Sequence, residues 1–425
     1  MRARELFFES KKEKNELSDL VRKSDNVSLL TKIANYLSSK IQAEEPRPDS
    51  EENIDNVNEE MAGNVKNTVL AMLDKLDDNS PEWSKIIDVL RRDEVSELST
   101  QVVQTKLGSV NGYLDKKLRD LVMRSKAPFE QKEEFLEKLA SGDGYFDGKE
   151  LLNQRSGNIY QMLSSNPVAA DLGPKMALEF RGDMGYGPDQ GPGEIMMTLL
   201  GKNIQLASKG DLKIGNQVAE VKATSRSKKG KKGFSGGRLY STTGYGSGFA
   251  IKKDLYKNLL AVGIPEQALL EYGLPTRKAA TDSGVEVKRG GVNLNLSGLA
   301  NINGLFKEYE VSPDQAKTVI KGIVDGLYTK LPSGMEKGIL NLIQNDGTFD
   351  PQDFLIEMTK LAHVYYMGLE GHDSLMLFNT DSGNYAVMYT AEDVEKLLRD
   401  GIISLTSHID FEDDRGKGSS QLIIK

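Results

Sequence analysis

Three charged residues, Asp211, Glu220 and Lys222, stand in the stretch GDLKIGNQVAEVKAT (residues 210–224) at a spacing suited to holding a metal ion. The central pair Gly215 and Asn216 is suited to a two-residue hairpin turn, because both residues tolerate positive φ. Such a turn fixes a register in which Ile214 faces Gln217, Lys213 faces Val218, Leu212 faces Ala219 and Asp211 faces Glu220. Strand alternation then puts Leu212, Ile214, Ala219 and Val221 on an apolar face and Asp211, Glu220 and Lys222 on the other. Directly opposed carboxylates, with Cβ atoms about 5 Å apart, repel one another unless a cation lies between them. A hard divalent ion, magnesium or manganese, resolves that conflict, and such an ion can acidify a water and stabilise charge on a phosphate. Lys222 is placed to orient the attacking water or to stabilise the developing negative charge.

An acidic residue opening one strand, followed by Glu-x-Lys on its antiparallel neighbour, resembles the PD-(D/E)XK nuclease superfamily, which includes restriction, phage and repair nucleases. The family often takes a further acid from a helix just before the hairpin, and Glu194 stands in the first turn of GPGEIMMTLLGKN, whose start is marked by Pro192 and Gly193. The resemblance implies that Asp211 and Glu220 bind metal, that Val221 offers its carbonyl, that Lys222 is the catalytic lysine and that Glu194 assists with a second ion or water. It covers about 30 residues closely and the rest of the domain only by layout. Gly210 stands where the family's proline would be. A second Glu-x-Lys, Glu286 to Lys288 in SGVEVKRGG, has glycines on both sides and no acidic strand to pair with, and reads as a structural strand or loop.

Each of these residues also has a plainer role open to it. Glu220 and Lys222 can be neighbouring charges on a solvated hairpin face, and an acid in the first turn of a helix, such as Glu194, is favoured by the helix dipole alone. The stretch from Thr224 to Gly248 reads as a Gly/Lys/Ser loop. It carries Arg226, Lys228, Lys229, Lys231, Lys232 and Arg238, with Phe234, Tyr240 and Tyr245 interspersed, and is expected to contact DNA phosphates and stack on bases. Arg415 and Lys417 in DRGKG are weaker candidates for the same role. His363, His372, Trp83, Tyr365 and Tyr366 read as packing residues.

The surrounding chain sets bounds on the chemistry. It has 425 residues, 38% hydrophobic and 28% charged, enough for two or three cores. Cysteine is absent and the three histidines are far apart in sequence, so a metal must sit on oxygen ligands. The net charge of −8 argues against coating nucleic acid by bulk attraction, which leaves local basic patches to bind DNA. No apolar stretch approaches the roughly 20 residues needed to cross a bilayer, and the charged start MRARELFFESKKEKNE is no secretory signal. A cytoplasmic or virion location without membrane contact is expected.

Residues 1–154 read as a helical region, with apolar spacing such as Leu17, Leu20, Val21 and Leu29, Leu30, Ile33, Leu37, interrupted by an acidic linker near residues 43–60. Helices are expected to run to about residue 141, with breaks at Asn79 to Pro81 and Lys126 to Pro128. GDGYFDGKE has too few oxygen ligands for a calcium loop and reads as a surface turn. Residues 155–425 then form the nuclease-like domain, of α/β class: a restriction endonuclease-like mixed sheet flanked by helices, with a mainly helical insertion at about 252–350. SLMLF and YAVMY read as a hairpin, AEDVEKLLRDG as a helix, and HIDFED with SSQLIIK as a final hairpin.

The expected reaction is hydrolysis of DNA by metal-activated water, more in the manner of an endonuclease than an exonuclease, with the N-terminal helices free to dock other protein subunits. Such a chain suits a bacteriophage or a restriction system. Two other classes stay open: a structural or assembly protein, such as that of a phage virion, that retains a nuclease-like fold, and a DNA-binding protein that does not cleave.

Overall fold

The computed structural model describes residues 15–23, 27–41, 59–75, 83–108, 112–180, 191–207, 211–226, 234–236, 238–240, 255–272, 296–327, 333–407 and 419–424. The chain divides into two compact units, Met1–Asp143 and Gly144–Lys425. Among the described residues no helix is long and apolar enough to cross a membrane.

The first unit is helical where it is described: α1 (Val27–Ile41), α2 (Glu59–Lys75), α3 (Trp83–Leu107), α4 (Gly112–Arg124) and α5 (Phe129–Ala140) follow a further helical stretch at residues 15–23. Leu17, Val21, Leu30 and Leu37 recur at three- and four-residue spacing, and all are buried in a core with Val69, Leu73 and Ile87 from the next helices. Residues 42–58 of the acidic stretch lie outside the described residues, as does the break at Asn79 to Pro81.

The second unit begins at Gly144, earlier than the boundary near residue 155 read from the sequence. GDGYFDGKE, expected as a surface turn, contributes a strand and the start of a helix to that unit. Strand β1 (Phe146–Asp147) pairs in parallel with β3 (Gly201–Lys202), and β2 (Ser156–Asn158) pairs with β10 (Asn384–Met388). Between them, α6 (Gly148–Gln154) is capped by Asp147, whose carboxylate accepts from Lys149 N at 2.8 Å.

The main sheet runs β2, β10, β9 (Ser374–Asn379), β6 (Gln217–Arg226), β5 (Leu212–Ile214), β4 (Ile204–Leu206). It is mixed: β6 is antiparallel to β5 and parallel to β9, and β9 is antiparallel to β10. The parallel pair requires a crossover, as parallel neighbours always do. The described part of that crossover is largely helical, with α9 (Leu296–Glu308), α10 (Pro313–Leu327) and α11 (Pro351–Glu370). On the other side of the chain from the hairpin, α7 (Pro167–Glu179) and α8 (Pro192–Leu200) precede β3.

Both faces of β6 are covered. Gly193 at the start of α8 lies against Phe378, which pairs with Ala223 and so shares a face with Ala219 and Val221. On the opposite face Leu375 and Leu377, the partners of Glu220 and Lys222, pack into one core with Met358, Leu361 and Tyr365 of α11. A central strand with helices on both sides leaves little room for a solvated face.

Two details depart from the sequence reading. The stretch from Thr224 is not wholly a loop: β6 continues to Arg226 and is met by β7 (Phe234–Gly236), with Thr224 opposite Gly236. Next, β8 (Arg238–Tyr240) joins a second sheet in the order β11 (Ile403–Ser407), β12 (Ser419–Ile424), β8. Leu239 explains the strand, since it is buried in the same core as Leu422 and Ile424. The terminal hairpin forms, but its first strand is residues 403–407, and HIDFED (408–413) lies outside the described residues. AEDVEKLLRDG forms α12 (Ala391–Arg399), with Thr390 as its N-cap.

Candidate active site

The β5–β6 hairpin has the register its sequence dictates: Leu212 pairs with Ala219, Lys213 with Val218 and Ile214 with Gln217. Of the two turn residues, Gly215 alone takes positive φ (61°), the pattern of a type II′ turn with glycine first. The apolar set Leu212, Ile214, Ala219 and Val221 is buried. Asp211 lies just before the strand and is locked to its partner, for its Oδ2 accepts from Val221 N at 2.7 Å.

The charged set is buried too. Asp211 is 9% exposed, Glu220 6% and Glu194 4%, so these acids lie inside the unit and not on a solvated hairpin face. Glu194 serves its helix, accepting from Gly191 N through Oε2 at 2.7 Å, and thereby satisfies one of the orphan donors at the N-terminus of α8. It also feels the charges of Asp211, Lys222 and Glu220. Glu194 thus both bonds the start of α8 and lies within the electrostatic reach of Asp211, Glu220 and Lys222.

The electrostatics record the crowding. Burial, followed by the charge of Glu220, pushes Asp211 up to about 7 against the opposing pull of Val221 N–H and Lys222. Burial and then the charge of Asp211 push Glu194 up to about 8, opposed by Gly191 N–H and Lys222. Lys222 shifts upward, though burial alone would lower it, because Glu220 and Tyr366 together outweigh that cost. Lys222 is therefore a held cation at neutral pH.

Glu220 is the most heavily bonded member. Its Oε1 accepts from Lys222 Nζ and from Tyr366 Oη, the latter at 2.7 Å. Its Oε2 faces His372 Nε2 at 3.2 Å. Tyr366 and His372 were assigned to packing on sequence grounds, and the structure corrects this: both stand at the centre of the charged group. The crossover brings them there. Asp350 caps the start of α11, accepting from Gln352 N and Asp353 N at 2.8 and 2.9 Å. Gly371 ends the helix in the left-handed region (φ 66°), a conformation that glycine adopts without penalty. That turn sets His372 directly before β9. Asp373 then aligns the two strands, accepting from Val218 N at 2.7 Å and donating its own N–H to Val218 O at 2.8 Å. His363 and Tyr365, by contrast, are buried in α11 as packing residues.

Among the described residues, no three His, Asp or Glu side chains converge closely enough to ligate one ion as they stand. Lys228, Lys229, Lys231, Lys232, Tyr245, Arg415 and Lys417 lie outside the described residues, as does Glu286 to Lys288. Arg226 and Arg238 are placed in β6 and β8 by their backbones, with their side chains outside the description. Comparison with protein-family models, with curated proteins and with solved structures gives no match.

Proposed function

We propose that the second unit is a metal-dependent DNA nuclease of the PD-(D/E)XK kind, and that its reaction is phosphodiester hydrolysis by an activated water. One observation carries this reading: Asp211, Glu220 and Glu194, from three different elements, are buried together around a single lysine, tightly enough to push Asp211 and Glu194 up to about 7 and about 8. Among the described residues, three acids meet one lysine in a desolvated space, and such clusters of perturbed titratable groups are candidates for functional sites. The mixed sheet with helices on both faces of β6, an interior strand, also supports it.

The donor set suits magnesium or manganese, because it consists of hard carboxylate oxygens without sulfur or a histidine pair. Asp211 and Glu220, with the Val221 carbonyl, would hold the ion, and Glu194 would stand by for a second ion or a bound water. The ion would supply Lewis acidity and a nucleophilic water at neutral pH. Lys222, kept charged by Glu220 and Tyr366, stabilises negative charge on the phosphate and is no proton acceptor. The burial of the acids withholds bulk water, which strengthens every charge interaction around the phosphate.

A second reading, a DNA-binding or assembly protein that does not cleave, draws on the engagement of Glu220 by Lys222, Tyr366 and His372. Supercoiled plasmid incubated with the purified protein and magnesium or manganese separates the two. Nicking that stops on addition of a chelator supports the nuclease. Intact plasmid, whether retarded on a gel or not, overturns it.

A further inference from the structure

The bonds around Glu220 define which part of its carboxylate remains open. An ionised carboxylate has about four lone-pair sites. Two of those on Glu220 are taken by Lys222 Nζ and Tyr366 Oη, both on Oε1, and His372 Nε2 stands 3.2 Å from Oε2. Two of these three neighbours come from the far end of the crossover: Tyr366 is 146 residues from Glu220 in sequence.

The donors are themselves fixed. Lys222 Nζ sits 5.1 Å from the centre of the Tyr366 ring, a cation–π arrangement that ties the lysine to the tyrosine as well as to the acid. The Tyr366 and His372 rings lie 6.2 Å apart at 36°. The His372 side chain is only 3% exposed. Its Nε2 faces Glu220, while its Nδ1 is buried with no hydrogen-bond partner among the described residues, so the contact with Glu220 is the polar contact that Nε2 has available.

We propose that Tyr366 and His372 are positioning residues for metal binding: they turn the Glu220 carboxylate so that one lone pair of Oε2 remains for a divalent ion, which Glu220 then binds through a single oxygen. The inference rests on the nuclease reading of the site. Without these donors the carboxylate rotates onto Lys222 as a closed ion pair, and ion binding must first break that pair. Partners that orient a ligating carboxylate typically contribute about 10- to 100-fold in metal affinity.

The test is a manganese titration of the full chain without DNA, following free Mn2+ by electron paramagnetic resonance, with plasmid nicking assayed in parallel. Tyr366→Phe removes one oxygen and keeps the ring, and His372→Leu removes the donor. His372→Gln returns an N–H at similar reach. The expected result is a dissociation constant raised about 10-fold or more in Tyr366→Phe and His372→Leu, close to that of the unaltered protein in His372→Gln, with nicking recovered at high Mn2+. A merely structural role would lower the melting temperature and leave the Mn2+ affinity of the folded fraction unchanged. Equal affinity in the unaltered protein and Tyr366→Phe overturns the positioning role and leaves the nuclease reading standing. Absence of both Mn2+ binding and nicking in the unaltered protein overturns the two together.

Discussion

Each unit of this protein holds at least one acid whose proton affinity is raised, and the surroundings of those acids differ. In the first unit Glu94 is pushed up to about 7, by burial first and then by Glu133 beside it, with Lys23 opposing. In that group Glu133 pairs with Lys23 at 3.6 Å, and the lysine is 63% exposed. Those residues come from amphipathic helices, where acids crowd simply because polar stripes meet. In the second unit the acids meet backbone or buried side-chain groups: Gly191 N–H for Glu194, Val221 N–H for Asp211, and Lys222 Nζ, Tyr366 Oη and the nearby His372 Nε2 for Glu220. A displaced proton affinity is thus a by-product that packing can generate anywhere. Groups arriving from a helix start, a hairpin and a crossover make the second group the candidate site.

The sharpest contrast lies in catalysis. Lys222→Ala or Glu220→Ala is expected to lower plasmid nicking by on the order of 10³-fold, while Glu94→Gln leaves the rate unchanged; a nicking assay on the three folded variants decides it. Next in size is the response to metal. A divalent ion at about 100 times its dissociation constant should stabilise the protein by about 2.7 kcal/mol, seen as a rise in melting temperature that disappears in Asp211→Asn and survives in Glu94→Gln.

The third contrast concerns pH in the absence of metal. Asp211 and Glu194 hold their protons more tightly folded than unfolded, so as pH rises the unfolded chain releases protons first. Stability is full below about pH 4 and declines up to the folded values of about 7 and about 8. Asp211→Asn together with Glu194→Gln keeps both acceptors without the charge. It is expected to match the unaltered protein near about pH 4 and to exceed it by on the order of 2 kcal/mol near about pH 8, by denaturant titration at each pH. The smallest effect is that of Glu94→Gln, in the same direction but below about 1 kcal/mol, because the group is half exposed and screened by solvent. Equal gains in both units would erase the distinction between a built group and an accidental one.

The sequence carried the hairpin almost completely, since a period of two and a Gly-Asn turn leave one register that buries Leu212, Ile214, Ala219 and Val221. The α8 start was equally legible from Pro192 and Glu194. The partners of Glu220 were not. Tyr366 lies beside the buried Tyr365 in an apolar helix, and nothing local separates a tyrosine that packs from one that donates to a carboxylate. Only the parallel pairing of Glu220 with Leu375 places the end of α11 beside the hairpin, and parallel pairing between distant segments leaves no short-range trace. The strands within the lysine-rich stretch were hidden for a related reason: their glycines and lysines favour a loop, and tertiary pairing with β6 and β12 overrides that preference.

The parallel β6–β9 pair also has a temporal consequence. Because loop closure over so long a segment carries an entropic cost before any contact repays it, strand pairing of this kind forms late in folding. A nascent chain that has emerged only as far as the hairpin carries Asp211, Glu220 and Lys222 but lacks Tyr366, His372 and the strand that aligns them. Synthesis itself therefore keeps the charged group unassembled until the C-terminal third of the chain is made, and fragments ending short of β9 should be inert by construction.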